Sequence, residues 1–154
     1  MWTMSGRGGP LTMVTMNTPS PIPVGHFADI GSGQKIHYHD AGPREGHAVI
    51  FLHGAGGGAS GYSNFKGNFP AFAEAGYCAI VMDMLGFGLS SKPDIPMYDL
   101  DFFVDALKRF ITALGLNRVT LLGNSLGGAI ALGHALAHPA DVERLMLMAP
   151  GAGA

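Results

Sequence analysis

The chain has 154 residues, 47% of them hydrophobic and 13% charged, with a formal net charge of −2 at pH 7. That length supports one domain with a buried core, and the near-neutral balance lacks the basic footprint of a partner for nucleic acid or an anionic membrane. Cys78 is the single cysteine. It rules out an intramolecular disulfide and points to a reducing, cytoplasmic setting.

Residues 1–24 are rich in Gly, Pro, Ser and Thr, and they hold Met1, Met4, Met13 and Met16 without a continuous apolar stretch. They read as a flexible N-terminal arm rather than a signal peptide. Apolar runs stay short of the roughly 18–20 residues of a transmembrane helix. Residues 25–154 read as one folded unit.

The runs HFADI and KIHYHDAG flank the turn cluster GSGQ and predict a β-hairpin. AVIFLHG, ending at Gly54, is continuously apolar, as in a strand buried on both faces. The glycine-rich GAGGGASG follows, then a weak helix over Ser63–Ala75 that Pro70 interrupts. YCAIVMDML predicts a second buried strand. In DLDFFVDALKRFITALG, Phe103, Leu107, Phe110, Ile111 and Leu114 form one apolar stripe at helical spacing. Asp99 can cap that helix and Gly115 can stop it. RVTLLGN predicts a third buried strand, and LGGAIALGHALAHP a helix apolar nearly all round, which should lie under other structure. VERLMLMAP predicts a fourth buried strand. Strand and helix alternate from Ala48 onward. The fold class is therefore α/β, a mainly parallel sheet flanked by helices and preceded by the hairpin.

Ser125 stands in Gly123-Asn124-Ser125-Leu126-Gly127, between a buried strand and a buried helix. One reading makes it a helix N-cap with glycines for close packing. The other makes it a nucleophile on a sharp strand-to-helix turn, where Gly123 and Gly127 avoid crowding and the helix N-terminus favours a developing oxyanion. FLHGAGGGASG leaves a strand end in the same way, one unit earlier. An oxyanion hole would then take the N–H of Leu126 and one from Ala55 or Gly56. A rival is the dinucleotide pattern Gly56-x-Gly58-x-x-Gly61 with Asp83 downstream. Its glycines begin three residues after the strand, and it leaves GNSLGG without a role.

A serine hydroxyl needs a histidine base and an orienting acid. After Ser125 the candidates are His134, His138, Asp141 and Glu143, all expected at the sheet edge opposite the turn. His37 and His39 share a strand face, but two histidines do not make a metal site. Neither metal nor cofactor is expected.

The HG after the AVIFL strand, DMLGFGLSSKP after the next, and the serine turn together resemble the α/β-hydrolases over Gly25–Gly151. LHGAGGGASGYSNF and GNSLGGA are similar to the meta-cleavage-product hydrolases, which cleave a carbon–carbon bond in 2-hydroxy-6-oxo-dienoates from aromatic ring breakdown. The chain departs from that pattern at Gly57 and Leu85, where the family carries proline. The resemblance implies that Ser125 is the nucleophile or polarised hydroxyl. It implies that Asn64 and Asn124 bind substrate and that His53 braces the oxyanion loop. It also implies that the chain corresponds to the N-terminal half of such an enzyme, ending after about the sixth strand. The lid and the strands bearing the catalytic Asp and His would lie beyond it. The half alone is expected to be inactive. Its expected partners are a small-molecule substrate and either the missing half or a second copy, through the exposed RLMLM edge. A carboxylesterase of small acyl esters and a non-catalytic binding module on the same scaffold remain open.

Overall fold

The computed structural model describes residues 22–151. The arm expected over 1–24 lies outside the described residues except for its last three positions, which are exposed.

The sheet begins with the expected hairpin. Strand β1 (His26–Asp29) pairs antiparallel with β2 (Lys35–Ala41), with His26 opposite Tyr38. The connecting turn needs left-handed backbone at Gly31 and Gly33 (φ 86° and 71°), which glycine adopts without a Cβ clash. The next strands are β3 (Ala48–Leu52), β4 (Cys78–Met82), β5 (Val119–Asn124) and β6 (Val142–Met148). Their order across the sheet is β1-β2-β4-β3-β5-β6. From β4 to β6 every pairing is parallel, whereas β2 runs antiparallel to β4.

Four helices cover the two faces: α1 (Gly61–Phe65), α2 (Phe69–Glu74), α3 (Leu100–Ala113) and α4 (Leu126–Ala137). Asp99 caps α3 by accepting from the Phe102 N–H at 2.9 Å. Gly115 stops it at φ 64°. The helix expected over Ser63–Ala75 is instead two short ones. Pro70 stands in the first turn of α2, where its missing N–H has no helical acceptor to lose, so it starts a helix rather than breaking one.

Alternation along the strands sorts the core into two layers. Ile50, Leu52, Ile80, Met82 and Leu121 pack under the α3 stripe of Phe103, Leu107 and Phe110 and under Ile130 of α4. Val49, Phe51, Val81 and Leu122 face the opposite way, onto Phe65 and Phe69 of α1 and α2. Two expectations fail at one end of the sheet. The apolar run of β6 reads as a buried strand, yet Met146, Leu147 and Met148 are 44%, 38% and 44% exposed, which fits instead the open RLMLM edge expected of a half-sheet. The α4 helix was expected to be covered, yet Leu132 and Leu136 face solvent. The reason is position: β6 is an edge strand, and among the described residues α4 is flanked on one side only, by α3.

One register places the site. Leu52 of β3 pairs with Gly123 of β5, so the chain segments leaving these neighbouring strands emerge side by side.

Candidate active site

Strand β5 passes into α4 through a single residue, Ser125, whose backbone holds φ 54° and ψ −115°. This is a left-handed conformation that a side chain disfavours, and neighbouring structure must hold it in place. Ser125 N–H donates to the Met148 carbonyl at 3.0 Å. The Ser125 carbonyl accepts from Gly128 N–H and from Gly151 N–H, each at 2.9 Å. The turn is thus tied both to its own helix and to the segment after β6.

The flanking glycines are sterically required. A Cβ on Gly123 would lie 2.3 Å from the Gly127 carbonyl oxygen, and one on Gly127 would lie 2.1 Å from the Leu52 carbonyl oxygen. Only hydrogen fits at either position, because β5, β3 and the first turn of α4 meet backbone to backbone. Ser125 is exposed, and its side chain makes no capping hydrogen bond to α4. The N-cap reading of this serine is therefore not what the geometry shows: its backbone is not extended and its hydroxyl is left for another partner.

The glycine loop lies beside this turn. A Cβ on Gly54 would come within 3.6 Å of the Ser125 Cβ and 3.8 Å of the Asn124 side-chain nitrogen. Ala55, Gly56, Gly57 and Gly58 are exposed, and a Cβ on Gly56 or Gly57 would meet nothing within 4 Å. These glycines clear space above the turn. Among the described residues, no acceptor takes the Ala55 or Gly56 N–H. The N–H of Leu126 opens α4, where helical N–H groups have no intrahelical acceptor and the helix dipole is positive. The Gly54 backbone and the first turn of α4 thus both lie next to Ser125.

His53 sits fully buried under the loop. Its Nδ1 lies 2.7 Å from the Gly54 carbonyl, and its Nε2 accepts from the Met84 N–H at 3.0 Å. Both contacts are satisfied by the neutral tautomer carrying hydrogen on Nδ1. Burial pushes its pKa below the usual histidine value, against the upward pull of the Gly54 carbonyl and the Asp83 charge. The ring has no free nitrogen with which to act as a base. Asn64 Oδ1 accepts from the Gly54 N–H at 3.2 Å, so this side chain also holds the loop, while its amide NH₂ remains available. Asn124 is half-buried next to Ser125.

Asp83 accepts from the Gly61 and Leu89 N–H groups and from His37 Nδ1, at 2.8, 3.0 and 2.9 Å. All of that binding capacity goes into pinning adjacent segments, which leaves the dinucleotide reading without its acidic partner. His37 and His39 do share a face, with ring centroids 5.0 Å apart. Among the described residues no group of three or more His, Cys, Asp or Glu could hold a metal ion.

The downstream acid and base candidates lie elsewhere. His134 Nε2 is 3.2 Å from Asp141 Oδ2, and Lys108 Nζ donates to the same oxygen at 2.8 Å. His134 comes eight residues after Leu126 on α4, about 12 Å along the axis at 1.5 Å per residue. This cluster ties α4 and α3 to the entrance of β6, at the sheet edge opposite Ser125. Burial lowers the His134 pKa. Burial raises that of Asp141, but Lys108 and His134 outweigh it and hold the carboxyl below its usual range.

One feature escapes the sequence pattern. A cavity of about 250 Å³ opens beside Ser125, walled by Tyr98, Leu100 and Phe103. Phe103 reads in sequence as part of the core stripe of α3, and no local signal tells that α3 begins beside the serine turn.

Residues 47–152 match the family described as alpha/beta hydrolase fold. A 2-hydroxy-6-oxo-6-phenylhexa-2,4-dienoate hydrolase of Comamonas testosteroni is 44% identical over 119 residues, which cover 75% of this chain and 40% of the relative. A 2-hydroxy-6-oxononadienedioate/2-hydroxy-6-oxononatrienedioate hydrolase of Paraburkholderia phymatum is 40% identical, covering 80% of this chain and 42% of the relative. Among solved structures, a serine hydrolase involved in carbazole degradation superposes with a TM-score of 0.78 at 40% identity, over 85% of this chain and 49% of that one. The chain therefore spans about two-fifths of the length of these curated relatives.

Proposed function

Because the chain belongs to the alpha/beta hydrolase fold family, we propose that Ser125 is the reacting hydroxyl of a serine hydrolase that cleaves a carbon–carbon bond in 2-hydroxy-6-oxo-dienoates. The observation that carries this reading is the backbone of Ser125. It is held at φ 54° between two glycines that admit no side chain, with its hydroxyl unengaged by the helix it precedes. The relatives' activities support the choice of bond.

In this reading the C6 carbonyl carbon of the dienoate sits against the Ser125 oxygen. The N–H groups of Leu126 and of Ala55 or Gly56 take the negative charge that develops on the carbonyl oxygen. Water is added across the C5–C6 bond: hydroxyl goes to the acyl carbon and hydrogen to the dienol carbon. His53 acts through the loop it braces rather than on substrate, while the free amides of Asn64 and Asn124 contact the dienoate's polar end. In this reading the histidine base and its acid come from a complementing segment, since His53 is doubly engaged and His134 lies at the far edge. The same reading makes residues 1–154 alone inactive, and it makes β6 the edge through which the chain pairs with a complementing polypeptide or a second copy. A single buried, unpaired cysteine suits a cytoplasmic catabolic enzyme.

The test is a chimera in which this chain replaces the matching segment of the Comamonas testosteroni relative. The expected outcome is cleavage of 2-hydroxy-6-oxo-6-phenylhexa-2,4-dienoate, falling by about 10³-fold or more in Ser125→Ala. A folded chimera that turns over p-nitrophenyl esters but leaves the dienoate intact makes the enzyme an esterase. A Ser125→Ala chimera with full activity overturns the assignment of the hydroxyl.

A further inference from the structure

His37 lies on β2, three strands across the sheet from β5, which is roughly 14 Å at about 4.8 Å per strand. Both His37 and the Asp83 it faces are buried. A carboxylate taken out of water has to be hydrogen-bonded throughout. Asp83 Oδ2 accepts from His37 Nδ1 at 2.9 Å and from the Leu89 N–H at 3.0 Å, while Oδ1 accepts from the Gly61 N–H at 2.8 Å. The His37 backbone holds the same segment. Its N–H donates to Ser90 Oγ at 2.9 Å, and its carbonyl accepts from the Asp83 N–H at 2.8 Å. Ser90 Oγ in turn donates to the Asp83 carbonyl at 2.6 Å. The aspartate is therefore fastened to the hairpin by main chain and side chain together.

Two routes lead from Asp83 to Gly54, the loop residue beside Ser125. One runs through Gly61, the first residue of α1, because that helix carries Asn64 and Asn64 Oδ1 takes the Gly54 N–H. The other runs through Met84, the next residue in the chain, whose N–H is held by His53 Nε2 while His53 Nδ1 donates to the Gly54 carbonyl. The N–H and the carbonyl of one glycine are thus both clamped, and both clamps refer back to one carboxylate. Resting on the assignment of Ser125 as the reacting hydroxyl, we propose that His37 is a positioning residue of the hydrolase. Its Nδ1–H fixes the Asp83 carboxylate and, through it, the glycine loop beside the reacting oxygen. His37 touches no reacting atom. A donor displaced from the place where charge develops stabilises the transition state less while leaving ground-state binding alone, so the loss falls on kcat rather than KM. The His37 ring also packs, with centroids 5.1 Å from Phe27 and 5.0 Å from His39. Positioning belongs to the N–H and packing belongs to the ring, which makes the two separable.

Two substitutions in the chimera with the Comamonas testosteroni relative divide donor from ring. His37→Phe keeps an aromatic ring between Phe27 and His39 but has no N–H. His37→Asn gives up the ring and sets an amide NH₂ where Nδ1 stands. His37→Phe is expected to lower kcat per folded enzyme by about tenfold, with KM within about twofold of the parent. His37→Asn is expected to keep kcat within about threefold of the parent, even where its Tm falls. A kcat that follows the ring instead of the donor, or that stays unchanged in both variants, would overturn the proposal. Amide exchange in the 154-residue chain gives a readout independent of turnover. Exchange at Gly54 and Gly61 should accelerate by about tenfold in His37→Phe and stay near the wild-type rate in His37→Asn; equal exchange in both variants would count against the relay. Ser90→Ala is the milder probe if His37→Phe does not fold. Loss of its hydroxyl strap should lower kcat by about threefold at constant KM, and full kcat would overturn the relay. A chimera that cleaves p-nitrophenyl esters and no dienoate sinks the carbon–carbon reading alone, and the variants are then ranked by ester kcat.

Discussion

Ser125 holds a conformation that costs an L-residue about 1–3 kcal/mol. The cost is met by hydrogen bonds to Met148, Gly128 and Gly151. Replacing the side chain with hydrogen removes the clash but not the bonds. Ser125→Gly is therefore expected to raise stability by about 1 kcal/mol in urea unfolding, whereas Ser125→Ala should change it little. Equal stability of the glycine and alanine variants would mean that the turn is unstrained. The same trade places a strained residue where its side chain is exposed and makes no hydrogen bond to the helix it precedes.

At the scale of elements, the serine turn is a junction where α4 leaves β5 against the end of β3. Gly123 and Gly127 make that contact possible, and Gly57 in the neighbouring loop has open space around it. Gly127→Ala should cost about 3 kcal/mol, since its Cβ meets main chain that cannot move aside without breaking the β3–β5 pairing. Gly57→Ala is expected to leave unfolding unchanged. A thermal denaturation series over the two variants checks the contrast, and similar losses in both would contradict the packing described. The hairpin and α3 were readable locally because their signals are local: a turn cluster between alternating runs, and a capped stripe. The α1–α2 break is not legible in the sequence because proline acts differently at a helix start and in its interior, and spacing alone does not say where the start lies.

At the scale of the molecule, two buried neutral histidines set the response to acid. Burial lowers the pKa values of His53 and His134 below the unfolded value of about 6.5. As pH falls below about 6.5, the unfolded chain takes up protons that the folded chain refuses, so stability is complete above that pH and declines below it. Each histidine adds at most about 1.4 kcal/mol per pH unit. Urea midpoints measured from pH 7.5 to 5 should fall with that sign, and His53→Gln should remove one proton's share of the slope. A midpoint that rises on acidification would contradict the neutral assignment. The apolar edge strand β6 should govern association. Leu147→Lys is expected to shift the chain from larger species toward monomer in size-exclusion chromatography. Unchanged association would show that another surface mediates it.

The amino-acid sequence by itself determined the α/β alternation, the hairpin, the limits of α3 and the identity of the serine between its glycines. Each of these depends on periodicity or on steric demand within a few residues. Only the tertiary structure decided which residues surround that serine. The parallel register between Leu52 and Gly123 brings a loop some 70 residues upstream against the turn. The packing of α3 on α4 sets Tyr98 and Phe103 beside it. The same sheet carries His134 and Asp141 to the opposite edge, although they are nearer in sequence. Distance along the chain says little about such neighbours, because a parallel sheet sends every strand's end to one edge and every helix back to the other.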